Sequence, residues 1–368
     1  MFRIIKWAVK TILVLTGIFP LLRCSAGYQE KDGKITFNGK EITDKHFIVL
    51  NDAFAKDSLY VYYKEKSIAG ADVASFTALD EWYAKDKNRV YYCNESRDGR
   101  NYYMTKYQEI AVVEKADPAS FTLIEASYAK DNTHGFYAGR AFAVKDIASL
   151  TGINHLFAKD NAQAYFNCKP LPGSDGKTFQ LLNDSYAKDT GHIYFFKPLE
   201  TVKESVFALP CNRDRFQLLA YPFSKDETTV FYENLPLPGA DPASFSVLQN
   251  GYSKDKNAVY IHAKKITGAH PASFAVLKDD GRLTQDDYYS SDDLAIYWFD
   301  KKLTGAHKTG FTPLGHGYAT DGKNIFYKTA VLPHADAGSF KVYPHDVGDA
   351  DAEDATTKYH SGKKVREE

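Results

Sequence analysis

The residues of this chain best placed to do chemistry are aspartates that return at regular intervals. An aromatic tetrapeptide of the Tyr-Ala-Lys-Asp kind ends at Asp57, Asp86, Asp131, Asp160, Asp189, Asp226, Asp255, Asp292 and Asp321. Carboxylates lined up in this way suit a hard cation such as Ca²⁺, which takes about six to eight oxygen ligands. Each repeat, however, offers one regular Asp and no fixed second acid, so these side chains are expected to accept hydrogen bonds from their own turns. The lysines that precede them, Lys56, Lys85, Lys130, Lys159, Lys188, Lys225 and Lys254, are expected to form a ladder with nearby acids, a weak contribution in solvent. The densest acid cluster, Asp279, Asp280, Asp286, Asp287, Asp292 and Asp293, is the best cation candidate, with a solvated loop as the alternative. No metal site is assigned.

Other chemistry finds less support. His134, His155, His192, His262, His270, His307, His316 and His334 stand at different places in the repeat, without HExxH or another ligand spacing, and read as surface or turn residues. No Gly-x-Ser-x-Gly elbow, phosphate loop or dinucleotide glycine pattern is present, so no cofactor is expected. A catalytic constellation needs different groups at one place, whereas this chain offers the same groups at many places. With 46 basic and 47 acidic residues and a pI near 6.8, there is no electrostatic footprint for nucleic acid or anionic lipid.

The elements that must carry these residues are short strands. The 26 Tyr, 24 Phe and 3 Trp make 14% of 368 residues, a surplus that fits a pleated, half-buried surface. The step from Asp57 to Asp86 recurs from Asp131 to Asp160, Asp160 to Asp189, Asp226 to Asp255 and Asp292 to Asp321. That common step of about 29 residues lies within the range of periods typical of repeat architectures. The longer steps, from Asp86 to Asp131, Asp189 to Asp226 and Asp255 to Asp292, mark insertions. An apolar residue, such as Phe76, Phe121 or Phe245, stands ten residues before most of the aspartates and confirms the register. Three strands per unit is the expected count, with turns at Asp255 to Asn257 and at His262 to Lys265 in one copy. In Gly239 to Phe245, Asp241 stands at an N-cap position and Pro242 at the first helical one, so a single helical or 3₁₀ turn is expected.

The ends differ from the repeats. Arg3, Lys6 and Lys10 precede an apolar run from Thr11 to Leu22 and then Arg23-Cys24-Ser25-Ala26, the order of a secretory signal peptide with cleavage after Ala26. The alternatives are a lipid anchor at Cys24 and a retained membrane anchor. Residues 27–43 read as a lead-in or N-terminal cap, 44–344 as about ten repeats, and 345–368 as a disordered charged tail. In an oxidising compartment the remaining cysteines suggest one bridge, with Cys168 and Cys211 as the pair to test. Three buried small apolar residues is the equal alternative.

The strings Tyr83 to Tyr92, YAKDKNRVYY, and Tyr252 to Tyr260, YSKDKNAVY, bracketed by GADVASF and GADPASF, resemble the DKNYY family of bacterial repeat proteins. The resemblance runs over roughly Asp44 to Tyr343, although Asp160, Asp226 and Asp292 are followed by other residues than Lys-Asn. It implies an exported protein of the periplasm or cell envelope of a Gram-negative bacterium, and it supplies no catalytic residues. A unit of this size cannot bury its apolar face alone, so an all-β, solenoid-like array of stacked meanders is expected, with a β-propeller as the alternative.

The function expected of such an array is non-enzymatic presentation of a surface to a protein or glycan partner. The aromatic pairs Tyr62 and Tyr63, Tyr91 and Tyr92, Phe195 and Phe196, and Tyr297 and Trp298 are the candidate contacts, because adjacent strand residues face opposite sides. Burial of both faces is the competing expectation for them. The functional alternatives are a periplasmic hydrolase or lyase on a propeller, with His192, His262 or the acid-rich insertion in its site, and a structural envelope protein.

Overall fold

A computed structural model describes residues 27–43, 46–97, 106–125, 127–197, 206–277, 288–347 and 349–365. The leader with Cys24 and most of the acid-rich insertion lie outside these residues. The described chain is all-β, a tandem series of small antiparallel sheets with no closed barrel and no α-helix among the described residues. It divides into two compact units, Met1–Leu181 with Lys188–Gly191, and Leu182–Ala187 with His192–Glu368.

Among the described residues the first unit starts with a three-stranded sheet, Tyr28–Lys31, Lys34–Phe37 and Lys40–Ile42, over the stretch expected to be a lead-in or N-terminal cap. Every later sheet has four strands in sequence order. One copy in the second unit shows the pattern: Ser246–Val247, Tyr252–Lys254, Val259–Ile261 and Lys264–Lys265, in register through Ser246 with Lys254, Tyr252 with Ile261, and Tyr260 with Lys265. The expected count of three is therefore corrected to four. The extra strand is the residue pair after each Ser-Phe, too short to show an alternating pattern, and its brevity is how four strands fit so short a repeat.

Within each unit, aromatic rings tie successive sheets together. Phe54, Val61, Tyr63, Ile68 and Phe76 share a core with Ala84, Tyr91 and Cys93 of the following repeat. In the second unit Tyr252, Val259, Ile261 and Phe274 do the same with Ala295 and Tyr297. Each fully buried ring contributes about 1.5–3 kcal/mol, so cohesion comes from contact between successive repeats, which no single sheet could supply.

Two further expectations are corrected. The tail is not disordered from residue 345: Lys341–Val347, Ala350–Glu353, Lys358–His360 and Lys363–Lys364 form a complete last sheet. Its repeat is disguised, because Phe340 stands four residues farther ahead of Asp354 than Phe245 does of Asp255, and the register shifts between Val342 and Val347. The Gly-Ala-Asp-Pro turns are mostly plain turns, with 3₁₀ geometry only at Ile147–Ser149 and Arg213–Arg215 among the described residues. Asp241 does cap its turn, accepting from the N–H and hydroxyl of Ser244.

Candidate functional site

From Asp86 onward the repeated aspartates are buried, and each organises one end of its sheet. Asp255 Oδ1 accepts the N–H groups of Asn257 and Ala258 at 2.7 Å, while Oδ2 accepts the Asp241 N–H at 2.8 Å and the Tyr260 hydroxyl at 3.0 Å. Asp86 repeats this with Asn88, Arg89, Asp72 and Tyr91, and Asp160 with Ala162, Gln163, Asp146 and Tyr165. Asp354 does so in the last sheet, with Thr356, Thr357, Asp336 and Tyr359. Acceptance from its own turn was the expectation. The bonds from the preceding turn, as at the Asp241 N–H, and from the following strand, as at the Tyr260 hydroxyl, go beyond it. Burial pushes the Asp321 and Asp354 carboxyls up, but their hydrogen bonds outweigh it and hold both at about 2. Tyr165 and Tyr359, buried and donating to aspartates, are raised to about 12.

Among the described residues these lysines form no acid ladder, and the ammonium groups of Lys56, Lys85, Lys130, Lys159, Lys225 and Lys254 instead cap backbone carbonyls of the next repeat's turn. Lys85 Nζ donates to Pro118 and Phe121 carbonyls at 2.9 and 3.0 Å, Lys225 to Pro242 at 2.7 Å, and Lys254 to Pro271 and Phe274 at 2.9 and 3.2 Å. The turn at Asp241 is thus gripped by Lys225 of the preceding repeat and Asp255 of the following strand hairpin. The Lys-Asp pair is a structural clamp whose polar groups are already engaged.

The eight proposed contact aromatics do not form an exposed stripe. Tyr63, Tyr91, Phe195, Phe196, Tyr297 and Trp298 are buried, and Tyr62 and Tyr92 are half-buried. Adjacent rings do point to opposite faces, but both faces are covered. Tyr91 packs on Phe76 at 5.9 Å, Tyr92 on Tyr83 at 5.0 Å, and Trp298 on Tyr289 at 4.7 Å. Nor is there a bridge between Cys168 and Cys211, which are free thiols packed in different apolar clusters. Burial raises their pKa values to about 11, and that of Cys93 to about 12.

What differs between repeats lies at the other end of the sheets, at the turns opposite the aspartates. In the second unit these turns enclose a cavity of about 480 Å³. Its aromatic lining is Tyr288, Trp298, Phe299 and Tyr327. Tyr288 packs on Phe299 at 4.3 Å with the rings tilted by 57° and meets Trp298 edge-on at 5.9 Å, and the Lys328 ammonium lies 5.0 Å over the Tyr327 ring. His316, Asp351 and His360 complete the polar side.

Local sequence explains why these groups meet. His316 and Gly317, and likewise Ser361 and Gly362, have positive φ at both positions, the geometry of a two-residue hairpin turn. A Cβ at Gly362 would collide with the Tyr327 ring, so only glycine lets that turn approach. The buried tyrosine hydroxyls pin the turns. Tyr289 Oη lies 2.9 Å from the carbonyls of Gly317 and Lys328, and Tyr318 donates to Asp351 at 2.7 Å while accepting the Gly362 N–H at 2.8 Å. Asp351 also accepts the Ser361 N–H at 2.6 Å. His316 Nε2 is buried and has no hydrogen-bond partner among the described residues.

This arrangement can stack against and hydrogen-bond a ligand. Of the proposed residues it contains Trp298 alone. Sequence reasoning grouped His316 with scattered histidines and assigned Asp351 and His360 to a tail; the signal that would have found them is the degenerate Asp354 copy. His192 packs on Tyr194, and His262 among Tyr232, Tyr288 and Phe299. Asp292 serves as a clamp aspartate, and Asp293 bonds His270 and Ser273. Among the described residues, no three His, Cys, Asp or Glu are grouped to hold a metal, and no helix is long and apolar enough to cross a membrane.

Neither a curated protein sequence nor a solved structure matches the chain. The sequence model of the DKNYY family matches residues 11–95 and 223–363, more than half of the chain and including the disguised last repeat. With the clamp written into nearly every copy of its motif, the chain belongs to the DKNYY family.

Proposed function

We propose that this chain is an exported, non-enzymatic repeat protein that presents a binding surface to a protein or glycan partner. The observation that carries the proposal is the division of labour within each sheet: the repeated charged groups are engaged in the clamp, while the opposite turns vary and, at Tyr288 to Ser361, leave an aromatic and polar cavity. Export rests on the leader-like order of residues 1–26. Cell fractionation with N-terminal sequencing tests that part, a mature chain beginning at Gly27 being expected and a full-length cytoplasmic chain overturning it.

For the binding part, the purified mature chain is offered to a glycan array and, in cells, is cross-linked through photoreactive residues at Tyr92 and Lys328. A saturable partner in either experiment is the expected result. Turnover of a panel of ester, glycoside and peptide substrates, abolished by His316→Asn, would replace this proposal with an enzymatic one.

A further inference from the structure

We infer that the cavity between the last three sheets of the second unit is a binding site for a neutral saccharide. The inference rests on the binding function proposed above and names its ligand class. Three observations select that class. Tyr288, Trp298 and Phe299 line it with mutually tilted rings, the kind of surface on which the C–H face of a sugar ring packs, in a cavity whose size of about 480 Å³ lies within the usual range for small ligands.

The polar groups match hydroxyls rather than a charge. The cavity holds one ammonium, Lys328, and one carboxylate, Asp351, so neither sign dominates. A quaternary ammonium, the other common guest of aromatic walls, is disfavoured because Lys328 already covers the Tyr327 ring. An anion meets the Asp351 carboxylate, which its bonds to Tyr318 and Ser361 hold in place. A hydroxyl, in contrast, can both donate and accept. A carboxylate has about four acceptor positions, and the two protein donors leave Asp351 able to take more. His316 lines the cavity, and its buried Nε2 has no hydrogen-bond partner among the described residues, a state seldom found in protein interiors.

The position in the fold supports a built site. Each of the turns that line it is fixed by a tyrosine hydroxyl or by a glycine that admits a neighbouring ring, so the walls are set before any ligand arrives.

Titration calorimetry of the mature chain with maltotriose, cellotriose and chitotriose, and with phosphocholine and glucuronate as charged counterparts, tests the inference. Binding of at least one neutral trisaccharide is expected, weakened about tenfold or more by Tyr288→Ala and by His316→Asn, with Leu59→Ala, at an exposed position of the first unit, leaving it unchanged. Thermal melts of each variant exclude unfolding, and Lys328→Ala, at an exposed turn, serves as a second cavity variant should either fail to fold. The inference is overturned if none of the three trisaccharides binds, if only a charged probe binds, or if the cavity variants bind as the parent does. A cross-linked protein partner obtained in any of those cases keeps the broader binding function and discards the saccharide site alone.

Discussion

The two ends of each sheet have been put to opposite uses. At the aspartate end, Asp86 in the first unit and Asp255 in the second bind the same four kinds of donor at the same sequence offsets. At the opposite end, several corresponding positions carry different chemistry. A groove of the first unit at this end is lined by Trp82, Tyr83, Tyr92, Asn94, Ser127, Tyr137 and Ala138 and measures about 230 Å³. In the second unit Trp298, Tyr327 and Lys328 occupy the places of Tyr92, Tyr137 and Ala138, and the cavity is about twice as large. Repetition therefore marks what every sheet needs in order to stack, and departure from it marks where recognition can be built.

Removing charge from the clamp as a whole gives the largest effect. The Asp321 and Asp354 carboxyls are held at about 2, below the ordinary 3.8, and Asp86, Asp131, Asp160, Asp226 and Asp292 are lowered in the same direction. A lowered folded-state pKa contributes stability that is present above the ordinary value and lost as pH falls toward the folded one. Tyr165 and Tyr359, raised to about 12 from 10.0, contribute stability that is present below 10 and lost as pH rises toward 12. Circular dichroism should find a flat plateau between these limits and cooperative loss of structure between about pH 4 and 2. Persistence of the full spectrum at pH 2 would show that stacking alone, without the clamp, holds the array.

Single clamp residues come next. Asp255→Ala leaves the Asn257, Ala258 and Asp241 N–H groups and the Tyr260 hydroxyl without their acceptor, and a cost of about 3–5 kcal/mol in urea unfolding is expected. Lys254→Met keeps the aliphatic stem and removes only the bonds to Pro271 and Phe274, for about 1–2 kcal/mol. Equal costs for the two would mean that the carboxylate does no more than the ammonium, and the clamp would have to be redrawn as a lysine device.

The fold was largely legible because the clamp repeats. The regular spacing, the all-β class and the turn role of each aspartate all follow from Tyr83 to Tyr92 and its copies. What escaped did so for physical reasons. Strands of two residues, such as Thr77–Ala78, are too short to alternate, so the fourth strand left no pattern. The last repeat was hidden because Asp351-Ala352-Glu353-Asp354 replaces the aromatic tetrapeptide and four extra residues displace Phe340. The aromatic pairs were legible as alternating rings, and burial of both faces was one of the two expectations for them; the choice between the two rested on partners elsewhere in the chain that cover Tyr91 and Trp298. The cavity depends on turns separated by tens of residues, and no local motif announces it.

The smallest effect belongs to the cavity rim and separates the two ends most sharply. Lys328 is exposed, and its ammonium rests on the Tyr327 ring. The backbone there has φ of 57°, a strain that Lys and Ala share, so Lys328→Ala removes only a surface cation–π contact. Its expected cost in urea unfolding is within about 0.5 kcal/mol, against several for Asp255→Ala. A cost near that of the clamp variant would make the turn end as structural as the aspartate end. A negligible cost, combined with altered trisaccharide affinity, would assign Lys328 to recognition and leave stability to the aspartates.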